Sequence, residues 1–408
     1  MTRPAFDLDR HLADLGCGAL LVLAGSSADA DLAPYVGGVH LGESLLVAPR
    51  GGRPRLGYFT PMERGEAAAT GLDLLDPDAL DVPRWTRDGL EPADLLAAVA
   101  ERALALCEVA PGRVAVAGHG AAGVVWSALS RLARAGWSFA SGNDLVLRRR
   151  KTKSAAEVEA MRAAAAGTAT AFRSLAWLLA AAQERGGELW LEGERLRVGR
   201  LRAEVAEALA RHGLEQPRGN ILAPAEEGGV PHSAGSSERV LRPGESLVVD
   251  LFPRGRLFAD CTRTLCVGAP PEPLARAHTA VAGALADAFG HACPGARGWD
   301  LQEAVCARLG AAGYPTPVGH PGTTSGYVHG LGHGVGYELH EYPSFRQRTG
   351  AEGLLEEGDV FTLEPGLYEP QGEGGGWGVR LEDLVALGPE GPENLTPLPY
   401  GLDPRAWE

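Results

Sequence analysis

Two aspartates in one predicted hairpin constrain this chain more than any other feature. Asp250 and Asp260 flank a short turn in the stretch V-V-D-L-F-P-R-G-R-L-F-A-D-C-T. An antiparallel hairpin centred on Gly255 would place the two carboxylates directly opposite each other, where Cβ atoms lie about 5 Å apart and like charges are destabilising. Apolar neighbours on both strands also predict partial dehydration, which raises the cost. The sequence therefore predicts a shared proton or a bound cation, and a divalent metal is the simplest solution.

The composition is that of a folded, acidic protein. Its 408 residues favour two or three domains with substantial cores. A net charge of −14 argues against a nucleic-acid-binding surface. The one basic cluster, at residues 148–153, is interpreted as a solvated linker between domains.

Cysteine usage and hydropathy indicate a soluble cytoplasmic protein without a membrane partner. The six cysteines are scattered and form no C-x-x-C pair, which favours reduced thiols over a disulfide framework. The N-terminus has no apolar signal core. The longest apolar run, around residues 175–182, is too short to span a bilayer.

The first 150 residues are predicted to form a small α/β domain. Short apolar runs alternate there with helical stretches, as expected for strands packed against helices. The strands are predicted at 18–24, 44–48 and 113–117, and the helices at 92–105 and 121–135.

Residues 151–408 are predicted to form a second domain of the α+β class with a largely antiparallel sheet. Ser154 and Glu157 have capping-box spacing at the start of a long helical pattern. A further helix over 197–212 ends at Gly213. Strands are predicted around Ile221, Leu247 and Leu265 and at 360–363 and 378–385, and helices are entered at Pro273 and Asp300.

A glycine-rich segment in the second domain carries three histidines within twelve residues. They are His329, His333 and His340, in G-Y-V-H-G-L-G-H-G-V-G-Y-E-L-H-E. Each glycine costs a helix about 1 kcal/mol relative to alanine, so we expect a loop that enters a strand, not a helical His pair. Histidine supplies both metal ligands and acid–base groups, which makes the segment a candidate for either role.

Three further segments carry polar residues in apolar surroundings. Glu364 follows an apolar strand and precedes a Pro-Gly turn. Strand alternation puts Arg380 and Glu382 on one face, where interior charges would need partners or a metal. His232, in V-P-H-S, means little by itself. Considered singly, each segment could equally be a solvated edge strand or loop.

Together these residues are sufficient for a two-metal site. Two aspartates, two glutamates and one histidine can hold two cations that share carboxylates. Four oxygen ligands to one nitrogen favour Mn²⁺, and Zn²⁺, Co²⁺ and Fe²⁺ are also compatible. Two such ions can lower the pKa of a shared water and clamp the tetrahedral intermediate that follows its attack.

Residues 150–390 resemble the pita-bread metallopeptidases, which include methionine aminopeptidase, aminopeptidase P, prolidase and the metal-free creatinase. The resemblance implies a curved, largely antiparallel pita-bread sheet in the catalytic domain (151–408), a creatinase-type N-terminal α/β domain (1–150) and a homodimer. The motifs occur in the family's order, and one departure is the spacing of ten between the two aspartates, where eleven or more is usual. The implied metal ligands are Asp250, Asp260, His333, Glu364 and Glu382.

The resemblance also implies roles for the remaining residues. Glu364 would relay a proton from a metal-bridging water, His340 would polarise the substrate carbonyl, and His232 would assist at the scissile nitrogen. His329 and Arg380 match extra active-site residues of the proline-specific branch. Arg346 and Arg348 lie where prolidases place an arginine that binds the C-terminal carboxylate of a dipeptide.

The resulting prediction is an Xaa-Pro dipeptidase, and three alternatives stay open. An aminopeptidase P would use the same ligands on longer peptides that carry proline in second position. A metal-free creatinase-like hydrolase and a pseudo-enzyme that only binds a partner are disfavoured, because neither requires all five ligands. The arginines after His340 favour the dipeptidase, since an arginine there both binds and blocks the end of the pocket.

Overall fold

The computed structural model describes residues 6–372 and 375–407. The chain divides into two compact units, which meet in the sequence at Arg150 and Lys151. All six cysteines are free of disulfide bonds. Within the described ranges, no helix is both long enough and apolar enough to cross a membrane.

The first unit is built on a mixed six-stranded sheet with the order β4-β3-β2-β1-β5-β6. Its strands are β1 (Ala19–Ala24), β2 (Ser44–Pro49), β3 (Arg55–Tyr58), β4 (Asp73–Leu75), β5 (Arg113–Ala117) and β6 (Ser138–Ser141). Its helices are α1 (Leu8–Asp14), α2 (Ala33–Val36), α3 (Arg64–Ala69), α4 (Val82–Arg87), α5 (Pro92–Leu106), α6 (Ala122–Arg134) and α7 (Asn143–Lys151), which ends at the division. All six residues of β1 are buried, as expected for a strand covered by helices on both faces. The predicted α/β class of this unit is confirmed.

The second unit is α+β, and all its strand pairs within the described residues are antiparallel. The helices are α8 (Ala155–Ala180), α9 (Val198–Arg211), α10 (Ala225–Gly228), α11 (Glu272–His291) and α12 (Gly298–Ala311). Outer strands are β7 (Gln183–Arg185), β8 (Glu188–Leu191) and β9 (Glu194–Arg195). Central strands are β10 (Ile221–Pro224), β11 (Leu247–Leu251), β12 (Cys261–Leu265), β13 (His333–Gly334), β14 (Glu341–Ser344), β15 (Val360–Leu363), β16 (Gly366–Glu369), β17 (Trp377–Arg380), β18 (Asp383–Gly388) and β19 (Gly391–Asn394).

Strand alternation separates a hydrophobic face from a polar face in the central sheets. Val249 and Leu251 of β11 pack with Cys261 of β12 in a core shared with α8 and α9. Residues of opposite parity, Asp250 and Thr262, therefore face the other way. The capping box of Ser154 and Glu157 at the start of α8 is confirmed. The helices thus fill one side of the hairpin and leave the other for polar groups.

The register of the aspartate hairpin differs from the prediction. Asp250 pairs with Thr262, and Leu251 pairs with Cys261. Arg254 bridges Phe258, so the turn is centred one residue later than Gly255. The prediction that the two aspartates lie directly opposite each other is therefore wrong. Asp260 has the parity of Thr262 and lies diagonally from Asp250 on the same face, where side chains about 7–8 Å apart still interact.

The segment predicted as one strand over 378–385 is two strands in different sheets. β17 pairs with β16, whereas β18 lies between β15 and β19. The chain turns at Leu381 and Glu382, and the backbone N–H of Glu382 donates to the Thr262 carbonyl at 3.0 Å. The alternation of Val379 to Glu382 ends at Asp383, where two charged residues are adjacent, and the prediction of a single strand overlooked this signal.

The basic cluster is not a solvated linker. Arg150, Lys151 and Lys153 are buried, and each faces a carboxylate. Arg150 Nη1 lies 3.1 Å from Asp31 Oδ1 within the first unit. A cation can be buried when a hydrogen-bonded carboxylate accompanies it. The prediction was wrong because these carboxylates are distant in the sequence, where no local pattern shows them.

Candidate active site

Five predicted ligands converge on the polar face of the β11–β12 hairpin. Asp250 lies in β11, Asp260 directly precedes β12, His333 opens β13, Glu364 follows β15 and Glu382 lies between β17 and β18. His333 Nε2 is 3.7 Å from Asp260 Oδ2 and 3.5 Å from Glu364 Oε1. Asp260, His333 and Glu382 each present a ligand atom within 4.8 Å of the others. Four separate strand ends and one loop therefore supply one cluster.

The carboxyl groups of this cluster are electrostatically strained. Burial raises the pKa of Asp260 well above its ordinary value, and Glu382, Asp250 and Glu364 raise it further. Burial, Glu364 and Asp250 do the same to the pKa of Glu382. Burial raises the pKa of Glu364 to about 8, although Arg380 opposes the change. The fold thus brings together acidic side chains that make one another's ionisation less favourable.

His333 is prepared as a ligand through its second nitrogen. Burial and the neighbouring His340 lower its pKa to about 3, so the ring is neutral. Its Nδ1 lies 3.2 Å from the Gly334 carbonyl, which can only accept, so Nδ1 carries the proton. The lone pair of Nε2 then faces Asp260 and Glu364. A histidine whose far nitrogen donates to a carbonyl is the usual form of a metal ligand.

The donor set fits a pair of divalent cations. Asp250 Oδ1 is buried and has no hydrogen-bond partner within the described residues, whereas Oδ2 accepts from Arg380 Nη2 at 2.5 Å. The Thr262 hydroxyl donates to Glu382 Oε2 at 2.6 Å and accepts from Arg380 Nε at 3.1 Å. An unpartnered buried carboxylate oxygen beside three acids of raised pKa is what cation ligation would satisfy.

A hydrogen-bonded chain borders the cluster. Arg380 Nη1 donates to the Tyr368 hydroxyl oxygen at 2.8 Å, and that hydroxyl lies 2.8 Å from His329 Nε2. His329 Nδ1 donates to the Gly330 carbonyl at 2.7 Å, so the neutral ring accepts from Tyr368. Burial and Arg380 lower the pKa of His329 to about 3, and burial raises the pKa of Tyr368 to about 12. The hydrogen bonds are therefore donated in one direction, from Arg380 to Tyr368 and from Tyr368 to His329.

Tyr368 and Thr262 are site residues that the sequence interpretation missed. Tyr368 lies on β16, four residues after Glu364, and Thr262 pairs with Asp250 across the hairpin. Strand parity could have suggested Thr262, because Thr262 is two residues beyond Asp260. Tyr368 could be found only from the three-dimensional arrangement.

His340 and His232 lie at the exposed rim of the cluster. The His340 ring meets His333 edge-on, with centroids 4.2 Å apart. Partial burial, Arg218 and Arg346 lower its pKa. His232 follows Pro231, whose carbonyl accepts from Arg380 Nη1 at 3.3 Å. His232 is a minor contributor to the lowered pKa values of His329 and His340.

The two predicted substrate arginines have different surroundings. Arg346 extends over the histidine segment, since a Cβ built on Gly330 would lie 3.7 Å from Arg346 Nε. Arg348 instead stacks over the Trp299 ring at 4.5 Å, with its Nη2 3.9 Å from Glu303. The structure brings Arg346 to the site and turns Arg348 away toward α12, so we do not retain Arg348 as a substrate-binding residue.

A second acidic cluster, in the first unit, is hydrogen-bonded within that unit. Asp31 accepts from Arg150 Nη1 at 3.1 Å and from the Gly118 N–H at 3.0 Å. Asp29 accepts from the Asp31 N–H at 2.9 Å and lies 2.9 Å from His119 Nδ1. Asp29, Asp31 and His119 each present a possible ligand atom within 4.8 Å of the others, but their carboxylates already have hydrogen-bond partners.

Comparison with known sequences gives one family and several relatives. The model of metallopeptidase family M24 matches residues 159–389. An Xaa-Pro dipeptidase from Pyrococcus furiosus is 34% identical over 210 residues, which are 50% of this chain and 54% of that protein. An Xaa-Pro aminopeptidase 2 from Streptomyces coelicolor is 31% identical over 279 residues, 63% of this chain and 57% of that protein. The matched region thus spans about half the length of these curated relatives.

Solved structures resemble nearly the whole chain. The prolidase from Pyrococcus horikoshii OT3 superposes with a TM-score of 0.75 at 21% identity, covering 97% of this chain and 98% of that one. An X-Pro aminopeptidase from Thermotoga maritima MSB8 gives 0.72 at 22% identity, covering 96% and 99%. These likenesses confirm the predicted fold class, an α/β unit followed by a pita-bread unit.

Proposed function

This chain belongs to metallopeptidase family M24, and from that premise we propose that it is a dimetal hydrolase of Xaa-Pro dipeptides, a prolidase. The observation that carries the proposal is the crowding of buried carboxyls around the neutral His333, with one oxygen of Asp250 left without a partner. The dipeptidase names of the matched relatives support the substrate class. We propose that residues 151–408 are the catalytic domain and residues 1–150 a creatinase-type domain.

The metal ligands in this proposal are Asp250, Asp260, His333, Glu364 and Glu382. Because four of the five are carboxylates, we propose Mn²⁺ as the resident ion. Bound at these residues, two such ions supply Lewis acidity and make water acidic enough to react near neutral pH. Arg380 holds Asp250, and Thr262 holds Glu382, so that their remaining oxygens stay directed into the cluster.

The other residues handle protons and the substrate carbonyl. Glu364 would take the proton that the attacking water loses and carry it toward the scissile nitrogen. His340, at the rim beside His333, would donate to the carbonyl oxygen as negative charge develops there. His232 would assist at the nitrogen of the scissile bond. The chain from Arg380 through Tyr368 keeps His329 neutral and fixed in orientation.

Arg346 favours a dipeptide over a longer peptide. Its guanidinium is exposed beside the histidine segment, where it could pair with the C-terminal carboxylate of a substrate. In a dipeptide that carboxylate belongs to proline itself, one residue from the scissile bond. A longer peptide would place an uncharged amide at the same position and would forgo the ion pair.

A panel of substrates of different length tests the proposal. We expect Mn²⁺-dependent hydrolysis of Xaa-Pro dipeptides, abolished by a chelator and restored by added metal, with much weaker cleavage of Xaa-Pro-Yaa tripeptides. Robust tripeptide hydrolysis would reject the dipeptidase assignment in favour of aminopeptidase P. Absence of peptide hydrolysis by a metal-loaded sample would reject both.

We further propose, from the family resemblance, that the protein acts as a homodimer in the cytoplasm. The six free cysteines are compatible with a reducing compartment. Sedimentation of the purified protein that shows only monomer would refute the dimer.

A further inference from the structure

The chain contains only two lysines, Lys151 and Lys153, and both are buried in ion pairs. Lys153 Nζ lies 2.5 Å from Glu341 Oε1, and both side chains are fully shielded from solvent. Lys153 Nζ also donates to the Lys151 carbonyl at 3.1 Å. None of the roles derived above uses this pair.

Glu341 connects the pair to the histidine segment. It directly follows His340 and opens β14. Its Oε2 accepts from the Glu338 N–H at 3.3 Å, which closes the turn that precedes His340. At Gly336, an added Cβ would lie 2.2 Å from Glu341 Oε1 and 2.7 Å from Lys153 Cε. Segment 336–341 therefore wraps tightly around the ion pair, and the glycine makes room for it.

Backbone contacts of the lysine segment anchor the pair. The Lys153 N–H donates to the Gly358 carbonyl at 2.7 Å, just before β15. Two residues earlier in the chain, Lys151 Nζ lies 2.8 Å from Asp359 Oδ2 and 2.6 Å from Glu356 Oε2. Lys153 is thus fixed to the residue pair that leads into β15, the strand that Glu364 follows, while its side chain reaches the segment that carries His340.

We propose that Lys153 is a positioning residue for His340, acting through Glu341. The ammonium group fixes Glu341, Glu341 fixes the adjoining backbone, and His340 is held edge-on to His333. The alternative is that Lys153 serves stability alone, by neutralising a buried carboxylate. This inference rests on the proposed hydrolase function for its kinetic readout, and it has a second readout that does not.

Variants that keep the buried volume separate positioning from stability. Removal of one partner leaves an uncompensated buried charge and destabilises strongly, whereas replacement of both partners by apolar residues of similar size is often neutral. The test variant is therefore the double change Lys153→Met with Glu341→Met. The matched control removes the exposed pair of Arg162 and Glu393, 2.5 Å apart, by Arg162→Gln with Glu393→Gln.

Three quantities are measured on wild type, test and control proteins: the melting temperature, kcat and KM for an Xaa-Pro dipeptide with Mn²⁺, and the chemical shift of the His340 Cε1–H at one fixed pH. The NMR spectra are recorded on protein loaded with diamagnetic Zn²⁺, and the signal is assigned with His340→Gln. We expect the test variant to fold and bind metal, with KM within about twofold of wild type. We expect kcat to fall ~10–10²-fold, the loss that displacement of a catalytic group by about 1 Å produces. The His340 Cε1–H signal should move, because a displaced ring loses its edge-on contact with His333, and the control should match wild type.

Two outcomes would overturn the inference. One is a folded, metal-loaded test variant with wild-type kcat, and the other is an unchanged chemical shift of the His340 Cε1–H. If the wild type itself does not cleave the dipeptide, the proposed function fails and the chemical shift alone decides the positioning role. Should the double variant not fold, Glu341→Gln, which keeps the acceptor and removes the charge, takes its place with the same readouts.

Discussion

The proton positions of two histidines determine what the site can do. Both rings occur in His-Gly pairs, at 329–330 and 333–334, and each Nδ1 donates to the carbonyl of the following glycine. The Nε2 lone pair of His333 is thereby directed at carboxylates, and that of His329 at the Tyr368 hydroxyl. Gly334 could not be replaced, because an added Cβ would lie 1.9 Å from the Tyr342 carbonyl. The same local geometry serves two different roles.

Replacement of His340 by alanine should lower turnover without unfolding the protein. His340 is exposed overall and lies at the rim of the cluster, so its loss should cost little stability. Loss of one donor to a developing oxyanion should reduce kcat by ~10²–10³-fold. Steady-state kinetics at saturating dipeptide measures this, and an unchanged kcat would remove His340 from the mechanism.

The two arginines of the E-Y-P-S-F-R-Q-R segment should respond differently to substitution. Arg346→Met should lower kcat/KM for a dipeptide by ~10–10²-fold, the loss of one charged hydrogen bond of about 1.5–3 kcal/mol. Arg348→Met is the matched control and should leave kcat/KM unchanged, because Arg348 stacks on Trp299. A larger effect at Arg348 than at Arg346 would contradict our assignment.

Sequence patterns predicted the ligands better than their supporting residues. Asp250, Glu364 and Glu382 stand out because charges in apolar strands require an explanation. Tyr368 and Lys153 do not stand out, since a tyrosine in a strand and a lysine after a helix are ordinary. The Lys153–Glu341 pair spans 188 residues of sequence, and no local pattern shows such a contact.

At the level of secondary structure, the elements could be predicted and their pairing could not. Strands β11, β12 and β15 follow from apolar runs, and the helix α5 prediction of 92–105 is within one residue of its observed end. The register of the β11–β12 hairpin was missed because P-R-G-R contains no two-residue turn signal that would fix it. The break between β17 and β18 coincides with the adjacent charges of Glu382 and Asp383, a local signal that the prediction of one strand overlooked.

The observed register leads to a testable prediction about the substitution of Asp260. Diagonal placement keeps it near Asp250, and its pKa is raised by burial, Glu382, Asp250 and Glu364. Asp260→Asn should abolish activity through loss of a metal ligand, yet leave the melting temperature of the metal-free protein equal or higher, because repulsion is removed. Thermal unfolding after chelation measures this, with the exposed Asp73→Asn as control. Strong destabilisation of metal-free Asp260→Asn would contradict the electrostatic account.

At the scale of the whole molecule, the cluster should make stability depend on pH and metal together. The folded pKa of Glu364 is about 8, above its ordinary 4.5, and those of Asp260 and Glu382 are also raised. A carboxyl of raised folded pKa stabilises the fold below its unfolded pKa, and the contribution is lost as pH rises through the folded value. Deprotonation thus weakens the metal-free fold and strengthens metal binding.

The melting temperature of the metal-free protein should therefore fall, relative to the Mn²⁺-loaded protein, as pH rises from about 4.5 to about 8. Scanning calorimetry of both forms at constant ionic strength measures the difference. If the difference in melting temperature between the two forms stays constant or narrows across this range, ionisation of these carboxyls does not weaken the metal-free fold, and the account is contradicted.

The most direct test of the central claim is the number of divalent cations that each chain binds at the carboxylate cluster. Titration of chelator-treated protein with Mn²⁺, followed by calorimetry and elemental analysis, should give two ions per chain for the wild type and fewer for Asp260→Asn. A wild-type chain that binds no Mn²⁺, Zn²⁺, Co²⁺ or Fe²⁺, or ions that stay bound in full after Asp260→Asn, would contradict the account.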